Sequence, residues 1–584
     1  MLEKINEPKD IKNLSVPQLQ TLAEEMRQAI MQRVDAVGGH LAPNLGFVEP
    51  TIALHYVFNS PVDKLVFDVS HQSYSHKILT GRKENYLNPE KYRKISGGTN
   101  PAESEHDTFC LGHTSTGPSL GVGLAKARDL KGEKHNVVVV LGDGSLSGGE
   151  ALEGLNNAAE LNSNYILIFN DNEMSIAPNA GGLYQNLALL RETQGQAENN
   201  LFKAMGFADY MYVEQGNDLE TLIKVFKQVK DSTRPIVVHL HTLKGKGCEF
   251  AEKNKELAHY MGPGMLHAKL SKQAPAPSYV SLTVDYLLKK QAQDPTLCVI
   301  SAGTPGAYGL TAEVRAKLGK NFTDVGIAEE HAVAYASALA AGGAKPVFNV
   351  VSSFLQRSYD QMAQDWALNN SPATLLVYFG GITGGDATHV GMFDIPLISN
   401  IPNIVYLAPT NQEEYLSMLH WAVDQTKYPV AIRVPLGPLT HAAGPVPTDY
   451  SDLNKYEVVT SGQEVAILAV GSFFELGKQS AAELKKKLHI NATLINPRYL
   501  TGLDKELLTN LRHDHRLVIT LEDGVISGGF GEKIASYYGP TDMKVLNYGA
   551  AKEIVDRVPL ADLYQRWHLT PDLIVSDVAN LLKK

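Results

Sequence analysis

The chain has 584 residues, 44% of them hydrophobic and 20% charged, with a formal net charge of −10. That length accommodates about three or four ordinary domains, and the acidic balance argues against a nucleic-acid partner. Three widely spaced cysteines (Cys110, Cys248 and Cys298) with no CxxC pair argue against a disulfide framework or a zinc site. The first ten residues mix both charge signs without an apolar core, and no apolar run approaches the roughly 20 residues of a bilayer span. A cytoplasmic protein that does not engage membranes is therefore expected.

From the amino end, Leu19, Leu22, Met26 and Ile30 recur at helical spacing and predict an amphipathic packing helix over about Ser15–Val34. His40 follows two glycines ahead of an expected helix containing Glu49 and His55; such a histidine is more often structural than chemical. An apolar run then ends at Asp68-Val69-Ser70-His71, with His71 and His76 in an expected loop. Gly112-His113-Thr114-Ser115-Thr116 precedes an Ala/Gly-rich helix. Small hydroxyls there suit a phosphate or simple helix capping.

The most informative stretch is Val137–Ile176. A β-branched run, 137–141, ends at Gly142-Asp143-Gly144; a helix-like segment follows; a second run, 165–169, ends at Asn170-Asp171-Asn172. This is a βαβ unit with polar groups at both strand carboxyl ends, the edge where open parallel sheets bind ligands. Gly142 and Gly144 expose backbone where a helix opens, which suits phosphate. Asp143 and Asn172, 29 positions apart (172 − 143), are hard oxygen donors that suit Mg²⁺ together with a carbonyl and diphosphate oxygens. The bland alternative is an Asp-Gly turn and an ordinary Asn loop.

Beyond it, a strand is expected over 235–240, followed by Lys244 and Lys246 between glycines, equally suited to anions or to solvent. The Pro/Ala-rich stretch 271–278 reads as a linker. A second α/β run has strand candidates at 297–300, 347–351, 373–378, 404–407 and 430–434, and 444–452 reads as a second linker. A third run has candidates at 465–470, 492–495, 517–521 and 545–547. Glu329 enters an Ala-rich helix, where dipole complementarity alone accounts for a glutamate.

The GDG turn followed by NDNEMSI resembles the thiamine-diphosphate motif of the transketolase superfamily, and specifically its 1-deoxy-D-xylulose-5-phosphate synthase branch. GHLAPNLG, DVSHQSYSHKILTGR, GHTST, KGKGCEFAEK, DVGIAEEHAV and SSFLQRSYDQ are similar to that branch's GHLASNLG, DVGHQAYPHKILTGR, GHSSTS, KGRGYEPAEK, DVAIAEQHAV and STFLQRAYDQ. The resemblance implies three doubly wound α/β domains, at 1–277 (diphosphate and Mg²⁺), 278–446 (pyrimidine) and 447–584 (carboxyl-terminal), in a homodimer. It implies thiamine diphosphate and Mg²⁺ as cofactors and decarboxylative condensation of pyruvate with D-glyceraldehyde 3-phosphate, a step of isoprenoid precursor synthesis. By the same resemblance, Asp143, Asn172 and the Met174 carbonyl hold the metal. His71, Gly112, His113, Thr114, Gly142, Gly144, Ser145, Asn172, Lys244 and Phe354 contact the cofactor, with Phe354 against its pyrimidine. Glu329 activates the cofactor; His40, His389, Asp386 and His259 act on the reacting oxygens; Arg433 takes the substrate phosphate.

Several positions depart from the family pattern. Phe379 stands where the family has a phosphate-gripping arginine, Val351 where it has tyrosine, Leu436 where it has arginine, and Ser70 where it has glycine. GGDATH is one residue short, so Asp386 and His389 match across a deletion, and the segment after Pro178 is also shortened. These departures leave two alternatives open: a thiamine enzyme with a less phosphorylated acceptor, and a cofactor-binding relative without turnover.

Overall fold

A computed structural model describes residues 1–266 and 276–583. The chain divides into two compact units: residues 1–274 with 326–328, and residues 275–325 with 329–584.

In the first unit, β1 (Lys64–Phe67), β2 (Val137–Gly142), β3 (Tyr165–Asp171), β4 (Asp209–Val213) and β5 (Pro235–His241) form a parallel sheet in the order β1-β2-β3-β5-β4. Val137–Leu141 of β2 and Tyr165–Phe169 of β3 are fully buried, as expected of central parallel strands covered on both faces. Their apolar continuity follows from that position. The helix Gly117–Leu130 packs tightly on this sheet because Gly121 has no side chain; a Cβ there would lie 2.3 Å from Val139 Cγ2. The amino-terminal helix runs Val16–Val37, opened by a Ser15/Gln18 capping box, and it buries Leu19, Leu22, Met26 and Ile30.

The second unit carries two sheets. The first comprises β6 (Leu297–Ser301), β7 (Phe322–Asp324), β8 (Lys345–Val351), β9 (Thr374–Tyr378), β10 (Val405–Leu407) and β11 (Val430–Arg433). These are parallel, in the order β10-β11-β9-β8-β6-β7. The other contains β12 (Glu457–Thr460), β13 (Glu464–Ala469), β14 (Thr493–Asn496), β15 (His515–Val525) and β16 (Lys544–Ala550). Its order is β12-β14-β13-β15-β16, with only the edge strand β12 antiparallel.

Each strand expected from the sequence is present within a few residues. The three it missed are β4, β7 and β12, all at sheet edges. β4 and β7 are mostly half-buried and β12 mostly exposed, so none presents the apolar run that marks a buried strand. His76 lies in a short helix, Tyr74–Lys77, rather than in a loop. Residues 271–275 of the expected first linker lie outside the described residues; 444–452 carries neither helix nor strand. Among the described residues, no helix is long and apolar enough to cross a membrane.

Candidate active site

The carboxyl ends of β2 and β3 come together as their parallel pairing demands. Gly142 is in register with Asn170, and Asp143 N–H donates to Asn170 O at 3.0 Å. The Asp143 carboxylate is buried and held from three sides: Gly144 N–H donates to Oδ1 at 2.9 Å, and Met174 N–H and Asn179 Nδ2 donate to Oδ2 at 2.9 and 2.8 Å. Burial, with Asp171 adding repulsion, pushes its pKa up to about 7. An anion so placed calls for a cation. Asn172 Oδ1 is buried with no hydrogen-bond partner among the described residues, an acceptor left for a ligand. Around Gly142 there is open space, whereas a Cβ on Gly144 would meet Ser175 Oγ at 2.7 Å. Glycine there lets the turn close against the Met174–Ser175 strip. The Ser145 carbonyl accepts from Ser115 Oγ at 2.9 Å, joining this turn to the 112–116 turn.

That second turn is anchored on Asp68 at the end of β1. Its Oδ2 accepts from Ser115 N–H at 3.0 Å and its Oδ1 from Gly117 N–H at 2.8 Å. Ser115 takes φ +81°, a strained conformation for a residue with a side chain. Gly112, His113 and Thr114 lead into it, and Thr114 Oγ1 lies 3.3 Å from Ser115 Oγ. Lys244, at the end of β5, is buried; its ammonium donates to Ser175 O and lies 3.2 Å from His259 Nδ1. Burial lowers its pKa to about 8 against the attraction of Asp143. Lys246 is elsewhere, paired with Glu49 at 2.9 Å, so of the two lysines only Lys244 belongs to this group.

Three imidazoles gather beside it. His40, His71 and His259 have ring centroids 5.1–5.5 Å apart. Burial holds His71 and His259 well below the usual histidine pKa, so both are neutral near pH 7. One buried side chain missed in the sequence positions two of them. Asn44 Nδ2 donates to His40 O at 2.8 Å and His71 O at 2.7 Å, while its Oδ1 accepts from Tyr74 N–H at 2.9 Å. Val69 and Ser70, just before His71, take φ +61° and +64°. The replacement of glycine by Ser70 therefore costs backbone strain, offset by bonds that its hydroxyl makes to Leu111 O and Thr99 N–H, each at 3.0 Å.

The second unit holds the remaining candidates. Glu329, at the first turn of the helix Glu329–Ala341, is 2% exposed. Its Oε2 lies 3.8 Å from Arg357 and has no hydrogen-bond partner among the described residues. Burial raises its pKa to about 7, against the pull of Arg357. Phe354 and His389 pack edge to face with centroids 5.5 Å apart. Asp386 caps the short turn that carries His389, accepting from Thr388 N–H at 3.0 Å, and its Oδ1 lies 3.4 Å from His389 Nδ1. Despite the shortened GGDATH stretch, these two residues are joined.

Arg433 is engaged within the fold. It is 3% exposed and clasped by two carboxylates. Its Nε and Nη2 donate to Asp394 at 2.7 and 3.1 Å, and Nη1 donates to Asp523. A guanidinium between two carboxylates sits in a cluster that is not net positive, which does not suit a substrate phosphate. Phe379, in the place of the family's other arginine, is 45% exposed. Asp394 and Asp523 lie 39 and 90 positions from Arg433, so no local pattern announced them.

Comparison with known proteins bears on the whole chain. A 1-deoxy-D-xylulose-5-phosphate synthase domain model matches residues 2–198. The pyrimidine-binding domain of transketolase matches 279–440 and the transketolase C-terminal domain 454–574. The 1-deoxy-D-xylulose-5-phosphate synthase of Symbiobacterium thermophilum is 37% identical, with 100% of this chain and 95% of that protein aligned. The chain belongs to the 1-deoxy-D-xylulose-5-phosphate synthase family. Relatives of the same name from Pelotomaculum thermopropionicum (38% identical; 99% of this chain, 96% of the relative) and Geobacter sulfurreducens (38%; 96% and 94%) agree. The match to synthase relatives thus runs along all three α/β sheets, which are parallel except for the edge strand β12.

Proposed function

We propose that this chain condenses pyruvate with D-glyceraldehyde 3-phosphate to give 1-deoxy-D-xylulose 5-phosphate and carbon dioxide, using thiamine diphosphate and Mg²⁺. Full-length membership of the synthase family supports the reaction. The observation that carries the cofactor reading is the buried Asp143 carboxylate at one strand end and, just past the end of the paired strand, an Asn172 oxygen with no hydrogen-bond partner among the described residues. That set fits a small, hard cation.

When bound, the thiazolium of thiamine diphosphate supplies the carbon nucleophile and the electron sink for decarboxylation. Asp143, Asn172 and the Met174 carbonyl would hold the cation beside the diphosphate. Gly142 leaves room for it, and Gly112, His113, Thr114, Gly144, Ser145, His71 and Lys244 line it. Glu329, with its pKa near 7, would hold a proton at its carboxyl and could exchange it with the cofactor's aminopyrimidine. Phe354 would lie against that ring. By the family resemblance, His40, His259, His389 and Asp386 would act on the reacting oxygens. Being neutral, His259 both donates and accepts hydrogen bonds, which suits moving protons between oxygens. The domains run 1–277, 278–446 and 447–584, and the enzyme works as a homodimer in the cytoplasm.

A second reading concerns the acceptor. Arg433 spent on Asp394 and Asp523, and a phenylalanine at 379, favour a weaker preference for phosphorylated aldehydes than an arginine pair would give. Carbon dioxide release from pyruvate, followed by product identification with glyceraldehyde 3-phosphate and with a panel of unphosphorylated aldehydes, tests both readings. Formation of 1-deoxy-D-xylulose 5-phosphate that requires thiamine diphosphate and Mg²⁺ is expected. No carbon dioxide with any aldehyde overturns the assignment.

A further inference from the structure

The stretch after the Asn170-Asp171-Asn172 loop returns to the candidate cation site three times. Asn179 Nδ2 donates to Asp143 Oδ2 at 2.8 Å. The Tyr184 hydroxyl donates to Asp143 O at 3.1 Å. Arg191 pairs with Asp171 at 2.6 Å, drawing the helix Gly182–Glu192 toward β3. The first of these bonds fixes how the Asn179 amide is turned. Asp143 Oδ2 also accepts from Met174 N–H, so it presents an acceptor to Asn179, and the amide nitrogen faces it. Its Oδ1, one amide width away, is buried with no hydrogen-bond partner among the described residues, as is Asn172 Oδ1. Two such buried amide oxygens in one turn that contacts Asp143 leave acceptors for a ligand. Oxygens of this kind are the donors that hard divalent cations take.

We propose that Asn179 belongs to the cation shell: its nitrogen orients the Asp143 carboxylate, and its Oδ1 is a further oxygen donor to the divalent cation held by Asp143 and Asn172. This rests on the cation reading given under Proposed function. It makes the shortened segment after Pro178 part of the site rather than a bare connection.

The test uses full-length protein stripped of cofactor. Mg²⁺ and Ca²⁺ affinities are measured by titration calorimetry at saturating thiamine diphosphate, and the melting temperature of the stripped protein is recorded beside them. The variants are Asn179→Ala and, for comparison, Asn186→Ala, which cuts bonds from the same stretch to Asn199 O and Leu201 N–H. Asn179→Ala is expected to weaken Mg²⁺ binding about 10- to 100-fold, as loss of a group supporting a metal site does. It should weaken Ca²⁺ binding by a larger factor, because Ca²⁺ takes more oxygen ligands. The stripped variant should melt with the parent, and Asn186→Ala should bind both cations as the parent does. Unchanged cation affinity in Asn179→Ala overturns the proposal. So does an equal loss in Asn186→Ala, or equal factors for the two cations. Should Asn179→Ala not fold, Asn179→Ser carries the same expectations. A parent protein that binds no divalent cation overturns the cation reading itself, and is thereby distinguished from failure of the Asn179 assignment alone.

Discussion

At the scale of single residues, Glu329 combines burial, a raised pKa and an oxygen with no hydrogen-bond partner among the described residues. Glu329→Gln keeps the shape but cannot take a proton, and loss of proton-transfer catalysis should lower kcat by about 10²–10⁴-fold. Exchange of the thiazolium proton for deuterium, followed by NMR, checks the cause and should slow in parallel. The same residue gives a stability signature. With its folded pKa raised from 4.5 to about 7, the fold holds a proton that the unfolded chain releases. Its contribution is complete below pH 4.5 and lost as pH rises through 7. Relative to the parent, the cofactor-free Gln variant should therefore gain as much as about 3 kcal/mol between pH 4.5 and pH 8 in denaturant titrations. Arg433 makes a second prediction at this scale. If its charge is consumed by Asp394 and Asp523, the kcat/KM ratio for glyceraldehyde 3-phosphate over glyceraldehyde is modest. Phe379→Arg should raise that ratio about ten- to a hundredfold, the worth of one hydrogen bond to a charged group. A high ratio in the parent, unaltered by Phe379→Arg, would show that phosphate is gripped by other side chains.

At the scale of elements, the site is made by adjacent strand ends held at one height. Parallel pairing of β2 with β3 puts Asp143 beside Asn170, and the turn after β2 closes only because Gly144 lacks a side chain over Ser175. Gly144→Ala would place a Cβ 2.7 Å from Ser175 Oγ and 2.9 Å from its Cβ. The turn must then move away from the Met174 N–H that holds Asp143. Overpacking of this kind costs about 1–3 kcal/mol. We expect weaker thiamine diphosphate binding, read by calorimetry, from a variant that retains the parent's far-UV circular dichroism. Unaltered affinity would mean that the 174–175 strip is slack. The strand β5 adds Lys244 from its own carboxyl end, and β1 adds Asp68, which fixes the 112–116 turn. Four strands thus deliver their chemistry to one edge of one sheet.

At the scale of the whole molecule, a ligand that binds only the folded state stabilises it by mass action. At a hundred times its Kd that amounts to about 2.7 kcal/mol. Chelation of divalent cations in the presence of thiamine diphosphate should lower the melting temperature, and Mg²⁺ should restore it. In Asp143→Ala the two conditions should melt alike, because the carboxylate that couples cation to cofactor is gone. A cation-dependent shift that persists in that variant would move the metal site elsewhere.

The sequence alone determined the elements whose signal is local. β2 and β3 are continuous β-branched or aromatic runs because both of their faces are buried. The GDG and NDN ends were legible because turn residues interrupt those runs abruptly. Family motifs added Glu329, Phe354 and the histidines by position. Only the tertiary structure decided which partners these groups meet. Asn44 lies four residues from His40 but 27 from His71, and it bonds through its side-chain amide to backbone, which no periodicity records. The fold brings Asp394 and Asp523 from distant segments to Arg433, which the family resemblance makes a phosphate ligand. Edge strands β4, β7 and β12 were missed for a related reason: half their surface faces solvent, so burial does not dictate their residues. What a residue is follows from the chain; what charge it faces, and whether its hydrogen bonds are already taken, follows from contacts made across the fold.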